Sequence, residues 1–187
     1  MKYLLPALLI AVSLPAGVPA QKPSGRDVAA ERAGSQVKEP SRHVTPHLEV
    51  ATFLSDESVT PGQRFSIVLD ITPKPGIHVY APGKHDYHVI TLRLEPNAIL
   101  RAYPTKYPQS VEYVFEPLNE RVQVYEQPFR LTQKVALTAS PASRQSAQKP
   151  PLTVTLNGVL EYQACTDTIC YPPEEVALTW AVTFKPQ

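Results

Sequence analysis

The sequence predicts an all-β sandwich, and three observations support that fold class. Apolar and polar residues alternate in several runs with a period of two, which is typical of strands that bury one face. Proline and glycine pairs that favour turns separate those runs. The 187 residues include 21 prolines and no stretch with a helical apolar period, and proline is excluded from long helices and central strands.

The N-terminal segment, residues 1–20, has the pattern of a secretory signal peptide. Lys2 supplies a positive charge, residues 4–14 form an apolar run, and residues 18–20 offer small side chains for cleavage near Ala20. The apolar run is shorter than the roughly 20 residues that a membrane span requires. We therefore expect a periplasmic or secreted protein without a membrane span after cleavage.

The remainder divides into a linker and one domain. Residues 21–46 are polar and poor in large apolar side chains, which favours a disordered linker; a short helix around residues 27–33 is the alternative. Residues 47–187 are long enough to form one domain with a core. The net charge of +1 gives no electrostatic footprint for nucleic acid or acidic lipid, so we expect a protein that binds neither. We also expect a monomer.

Eight strands are predicted along the domain. In chain order they lie at residues 48–54, 65–72, 77–80, 90–95, 122–125, 134–138, 152–157 and 176–184. Turns are predicted at residues 61–62, 73–76 and 82–83, and a polar surface loop at 141–151. Trp180 in the last strand is predicted as a core residue, and the antibody-type Cys-Trp-Cys pattern is absent.

The chain has two cysteines, Cys165 and Cys170. On facing strands of a tight antiparallel hairpin, two cysteines lie about 4.5–5.5 Å apart at Cα, which suits a disulfide. A bridge across so short a loop constrains the unfolded chain less than a long-range bridge, so it suits a bond that opens and closes. Number and spacing alone leave three roles open: an inert structural disulfide, a redox-active disulfide, or a pair of metal ligands.

The residues around the cysteines resemble one known family. Residues 162–173, YQACTDTICYPP, match the Y-Q-x-C and C-x-P-P pattern of the N-terminal periplasmic domain of DsbD, the thiol:disulfide interchange protein. Residues 76–80 and 122–126 are similar to two strands of that family. The resemblance extends over residues 47–187, and it is specific around the cysteines and loose elsewhere.

The resemblance implies an immunoglobulin-like sandwich with an exposed cysteine hairpin at one end. It also implies thiol:disulfide exchange in the periplasm, in which a reversible Cys165–Cys170 disulfide passes electrons between thioredoxin-fold partners. A separate membrane reductase is a further implied partner, cytochrome c biogenesis is the implied context, and no cofactor is implied. The enzyme class would be a thiol:disulfide oxidoreductase component.

The resemblance also assigns roles within the site. The family's second cysteine forms the mixed disulfide with partners, and Cys170 occupies that position. Pro172 and Pro173 support the assignment, because they remove backbone donors and should leave Cys170 at a frayed hairpin end. An aromatic cap loop shields the pair in the family. Residues 113–119 lie in its place and Phe115 is the candidate cap, although FEPL replaces the family's FYG-type sequence; the alternative is that Phe115 packs in the core.

The charges near the cysteines in sequence are acidic. Residues 151–184 contain no Lys, Arg or His. Acidic neighbours and burial both raise the pKa of a thiol, so we expect cysteines that react slowly until a partner docks. Asp167 is a candidate site residue that could equally be a turn residue. Tyr80 and Tyr162 are candidate lining residues that could equally be packing residues.

Two other functions compete with exchange. A non-catalytic secreted binding module would carry the disulfide as an inert clasp. A metal-binding protein would use His78, His85 and His88, but their spacing matches no tight motif, so no metal site is predicted.

Overall fold

The computed structural model describes residues 39–116, 119–138 and 152–185. The strands in these ranges are β1 (Ser41–Val44), β2 (Leu48–Leu54), β3 (Ser58–Val59), β4 (Arg64–Pro73), β5 (His78–Tyr80), β6 (Thr91–Leu94), β7 (Leu100–Lys106), β8 (Val111–Phe115), β9 (Glu120–Tyr125), β10 (Phe129–Leu137), β11 (Leu152–Tyr162), β12 (Ala164–Cys165) and β13 (Glu174–Phe184). The predicted signal peptide, most of the predicted linker and the predicted loop at 141–151 lie outside the described residues.

Two sheets face each other across the main core. Their strand orders are β1-β2-β4-β10-β7 and β3-β13-β11-β6. The first sheet contributes Leu48, Ile67 and Leu131 to this core, and the second contributes Leu160 and Leu178. All five side chains are essentially excluded from water. Burial of so much aliphatic surface between two sheets is the main favourable term for folding, and it makes the domain a β-sandwich.

The strand with the clearest alternation, β13, shows why the sequence predicts the core well. Every second residue from Val176 to Phe184 is buried, because successive side chains of a strand point to opposite faces. Trp180 is a core residue, as predicted, and its indole Nε1 donates a 2.8 Å hydrogen bond to Thr52 Oγ1 on the opposite sheet. Each of the eight predicted strands overlaps an observed one.

The described chain also contains five strands that the sequence did not predict. The first, β1, lies inside residues 21–46, which were predicted to be a disordered linker, and it pairs with β2. This corrects the predicted boundary at residue 47. The strand β1 is short and mostly exposed, so its conformation depends on its pairing with the neighbouring strand.

The strand β7 contains Pro104 at a sheet edge, where proline is tolerated, and β8 is also an edge strand. The strands β3 and β12 have two residues each, which is too short for a periodic signal.

A third sheet forms the surroundings of the two cysteines. Its strand order is β12-β5-β9-β8, and β12 ends at Cys165. The turn before β5 fixes where this sheet begins. Gly76 adopts a positive φ of 77°, and Ile77 N donates to Lys74 O at 3.0 Å, which is a type II turn with Pro75 at its second position. The predicted turn at residues 73–76 is thereby confirmed. No helix among the described residues has the length and apolar character to span a membrane.

Candidate functional site

Cys165 and Cys170 form a disulfide across an antiparallel bridge. Their Cα atoms are 4.1 Å apart. The amide of Tyr171 donates to the carbonyl of Ala164 at 2.9 Å, so the cysteines occupy the next, non-hydrogen-bonded position of the ladder. Residues at such positions approach most closely, which is why a bridge fits here. The predicted bonding distance and hairpin arrangement are confirmed.

A four-residue turn connects the two cysteines. Thr166 N donates to Ile169 O at 2.8 Å, and the hydroxyl of Thr166 accepts from the amides of Thr168 and Ile169 at 3.2 and 3.0 Å. This side chain replaces backbone partners within the turn, as Ser and Thr commonly do. Asp167 lies in the same turn and is exposed. The chain returns to a strand only at Glu174, after the two prolines.

The two cysteines differ in their exposure to solvent. Cys165 is fully buried and packs with Tyr80, Val122 and Val124 in a small apolar cluster under the hairpin. Cys170 is exposed. A thiol from another molecule therefore has access to the bridge at Cys170, while the Cys165 side is closed.

Tyr80 touches both ends of the disulfide. Its hydroxyl lies 3.2 Å from Cys165 Sγ and 3.4 Å from Cys170 Sγ. Tyr80 is buried, and burial raises the pKa of its phenol well above the usual range; the nearby Tyr87 and Glu120 raise it further. At neutral pH this hydroxyl is therefore a protonated hydrogen-bond donor.

Two further tyrosines complete the aromatic surroundings. The ring of Tyr87 stacks on Tyr80 with centroids 4.2 Å apart, and its hydroxyl donates to Glu120 Oε2 at 2.7 Å. The hydroxyl of Tyr113 donates to Asp167 Oδ1 at 2.8 Å. The bond to Glu120 raises the pKa of Tyr87, while burial, and then the bond to Asp167, raises that of Tyr113.

His78 is a titratable base beside the disulfide, and it pairs with Cys165 between β5 and β12. Its ring lies against that of Tyr113, with centroids 4.4 Å apart. Burial lowers the pKa of His78, and Asp167 and Glu126 oppose this only in part. A neutral imidazole supplies no positive charge to stabilise a thiolate, so the acidic surroundings expected from the sequence are not offset by this side chain.

A cavity of about 60 Å³ opens beside the exposed cysteine. Its walls include His78, Tyr80, Tyr113, Phe115, Ile169 and Cys170. The structure thus brings four of the candidate residues of the sequence to one place: Tyr80, Cys170 and Phe115 in the cavity wall, and the buried Cys165 next to them. Asp167 is connected to the cavity through Tyr113.

The candidate lining residue Tyr162 lies elsewhere. It is fully buried in the main core, and its hydroxyl bonds to Thr45 at 2.9 Å and to Glu174 Oε2 at 2.8 Å. Tyr162 is therefore a packing residue, which was the alternative to a lining residue in the sequence analysis. Its place on β11, three residues before Cys165, pointed to the site in sequence, but the core-facing register of β11 directs the side chain into the sandwich.

The three candidate metal histidines have other contacts. His78 packs against the tyrosines, His85 Nε2 lies 2.9 Å from the carbonyl oxygen of Ala81, and His88 Nε2 lies 3.6 Å from Glu161 Oε2. Within the described residues, no group of three or more His, Cys, Asp and Glu side chains is arranged to hold a metal ion.

Two contributors to the site, Tyr87 and Glu120, had no signal in the sequence. Tyr87 lies in the irregular segment 81–90, which has no periodic pattern. Glu120 is the first residue of β9 and precedes the segment that was predicted. Only the pairing of β9 with β5 and the path of residues 81–90 bring these two side chains together.

The described chain is a β-sandwich that carries a disulfide hairpin, in which one cysteine is buried and the other is exposed. The family described as "Thiol:disulfide interchange protein DsbD, N-terminal" matches residues 50–180, and the chain belongs to that family. Family and sheet architecture together confirm the predicted immunoglobulin-like sandwich.

The chain is also similar to two solved structures. The N-terminal periplasmic domain of ScsB from Proteus mirabilis has a TM-score of 0.53 and 16% identity over 76% of this chain, which spans half the length of the ScsB domain. The reduced N-terminal domain of DsbD from Neisseria meningitidis has a TM-score of 0.43 and 18% identity over 65% of this chain and 82% of its own length. No curated protein matches the chain.

Proposed function

We propose that this protein is a periplasmic thiol:disulfide exchange domain, which passes electrons between thioredoxin-fold partners through a reversible Cys165–Cys170 disulfide. The observation that carries the proposal is the asymmetry of the bridge: an exposed Cys170 is bonded to a fully buried Cys165, and the hydroxyl of Tyr80 reaches both sulfurs. Membership of the DsbD N-terminal family supports it.

The first step of exchange follows from this asymmetry. A thiolate of the partner attacks the sulfur of Cys170 in line with the disulfide, and the electron pair of the broken S–S bond leaves on Cys165. The product is a mixed disulfide between the partner and Cys170. The hydroxyl of Tyr80 donates a hydrogen bond to the Cys165 thiolate, which stabilises a charge that would otherwise be unsolvated.

The second step resolves the mixed disulfide. A second thiolate of the partner attacks its own bridged sulfur, and Cys170 leaves as a thiolate. Two electrons have then moved from the partner's dithiol to this domain, and two protons end on Cys165 and Cys170. Run in reverse, with Cys165 as the resolving thiolate, the same steps deliver electrons to a partner.

The size and surface of the site favour protein partners over small molecules. The cavity of about 60 Å³ is far smaller than the roughly 300–1,000 Å³ of typical ligand pockets. Ile169, next to Cys170, is 56% exposed and offers an apolar contact to a docking protein. Thioredoxin-fold proteins of the periplasm are the partners that family membership suggests. A membrane reductase is a further suggested partner, and cytochrome c biogenesis is the suggested context.

A redox titration of the disulfide tests the proposal. We expect a midpoint more oxidising than about −300 mV, because structural disulfides in secreted proteins lie below that value. Equilibrating the purified protein with defined ratios of reduced and oxidised dithiothreitol and counting free thiols gives the midpoint. A disulfide that stays oxidised in this range would instead indicate a binding module with an inert clasp.

We also propose that Phe115 is a cap residue over the exposed cysteine. Phe115 is half-buried and forms part of the cavity wall beside Cys170. Phe115→Ala should raise the rate of reduction by 2-mercaptoethanol about threefold to tenfold, since removing its packing makes the site easier to open by about 1 kcal/mol. Stopped-flow kinetics at fixed pH measures the rate.

Phe53→Ala is the matched control for the cap. Phe53 is half-buried on β2, where its ring lies under Arg130 in the first sheet. This change should reduce thermal stability without changing the exchange rate. An unchanged rate in Phe115→Ala, together with a large loss of stability, would show that Phe115 is a packing residue.

A further inference from the structure

The buried sulfur of Cys165 needs a hydrogen-bond donor when it leaves as a thiolate, and Tyr80 is placed to supply one. Cys165 is fully buried, so water cannot solvate it when it leaves as a thiolate. Among the described residues, the hydroxyl of Tyr80 lies within hydrogen-bond distance of both sulfurs. The efficiency of this step therefore depends on how firmly that hydroxyl is held over the bridge.

We propose that Tyr87 and Glu120 are positioning residues of the exchange reaction, which hold the Tyr80 hydroxyl over the disulfide so that it donates to the departing Cys165 sulfur. This inference rests on the proposed exchange function. Neither residue touches the disulfide in a hydrogen bond, so both act through Tyr80.

The first contact of the set is a ring stack. The rings of Tyr80 and Tyr87 are 4.2 Å apart at their centroids and inclined by 2°. Tyr80 is already fixed at one end by β5, which pairs with β9. The flat ring of Tyr87 against that of Tyr80 restricts rotation of the Tyr80 phenol, and offset aromatic pairs contribute favourable energy beyond their buried area.

The second contact fixes Tyr87 itself. Residues 81–90 leave and re-enter the sheet at the same place, since Ala81 N donates to Gln123 O and Ile90 N donates to Tyr80 O, both at 2.9 Å. Between these points the segment has no regular structure. The 2.7 Å bond from the Tyr87 hydroxyl to Glu120 Oε2 joins the segment to the start of β9. A bond to a charged acceptor is stronger than a neutral one, so it is well suited to hold an irregular segment.

The negative charge of Glu120 also helps to keep the nearby phenols protonated. It raises the pKa of both Tyr80 and Tyr87, so both phenols keep their protons throughout the neutral range. Because the single hydroxyl proton of Tyr87 is donated to Glu120, Tyr87 does not donate to the Tyr80 oxygen.

Reduction of the oxidised protein by dithiothreitol tests the inference without a protein partner. Dithiothreitol supplies both thiols and closes to its own cyclic disulfide, so two electrons and two protons pass to Cys165 and Cys170. Glu120→Ala and Tyr87→Phe should each slow this reaction about threefold to tenfold, the range that matches the net contribution of one typical hydrogen bond, because the Tyr80 donor is loosened but not removed. Glu120→Gln should restore most of the rate, because its amide oxygen still accepts from Tyr87. Glu112→Ala is the control, because that exposed carboxylate bonds to Arg121 on the same hairpin.

The decisive measurement is made in a Tyr80→Phe background. If Glu120 acts through the Tyr80 hydroxyl, adding Glu120→Ala to Tyr80→Phe should change the rate by less than twofold, since coupled residues are not additive. An equal slowing in both backgrounds, or no slowing in the wild-type background, would overturn the inference while leaving the exchange function intact. A wild-type disulfide that dithiothreitol cannot reduce would overturn both.

Discussion

Single-cysteine variants should behave in opposite ways when they meet a thioredoxin-fold protein. With Cys165→Ala, the remaining Cys170 thiol is exposed. It should form a stable mixed disulfide with a purified thioredoxin-fold protein that keeps one cysteine of its C-x-x-C pair, activated as a disulfide with thionitrobenzoate, which leaves as the free thiolate. With Cys170→Ala, the remaining Cys165 thiol is fully buried, and adduct formation should fall at least about a hundredfold. A reductant-sensitive band on a non-reducing gel measures the adduct.

The two cysteine variants control for each other. Both remove the same short-loop disulfide, so both should lose a similar stability of about 2 kcal/mol, and a difference in adduct formation cannot come from unfolding. The double variant should form no adduct. More adduct from Cys170→Ala than from Cys165→Ala would reverse the assignment of Cys170 as the exchanging cysteine. No adduct from either variant would indicate an inert clasp.

Removing the Tyr80 hydroxyl should produce the second largest effect. Tyr80→Phe keeps the ring and its stack on Tyr87 but removes the donor that lies 3.2 Å from Cys165 Sγ. A hydrogen bond to a charged group contributes about 1.5–3 kcal/mol, so reduction by dithiothreitol should slow about 10-fold to 150-fold. Because the pKa of Tyr80 is raised, its proton remains in place across the neutral range, and the slowing should be the same from pH 6 to pH 8.

Tyr125→Phe provides the matched control for Tyr80→Phe. Tyr125 is also a buried tyrosine of the third sheet, and its hydroxyl donates to Pro108 O at 2.9 Å, away from the sulfurs. Both variants should lose about 1 kcal/mol of unfolding free energy for the missing hydrogen bond. Only Tyr80→Phe should slow the exchange. Equal rates in the two variants would remove Tyr80 from the mechanism and leave it a packing residue.

Much of the sandwich could be predicted because its signal is local. A strand that buries one face must alternate, and the runs at residues 65–72 and 176–184 do so over their whole length. The turn at 73–76 could be predicted for a related reason, since a glycine with positive φ after a proline suits one turn type. Edge strands such as β1 and β7 gave no such signal, because an edge strand exposes more of its surface and depends on its single neighbour.

The chemistry of the site divides in the same way. The sequence by itself indicated that Cys165 and Cys170 lie within bonding distance on a short hairpin, since their spacing and the prolines that follow act within one short segment. Only the tertiary structure decided what surrounds the sulfurs. Tyr80, Tyr87 and Glu120 come from a strand, an irregular segment and a distant strand, and Tyr162, although nearer in sequence, faces the main core. The physical reason is that the direction of a side chain depends on strand register and sheet pairing, which long-range contacts set.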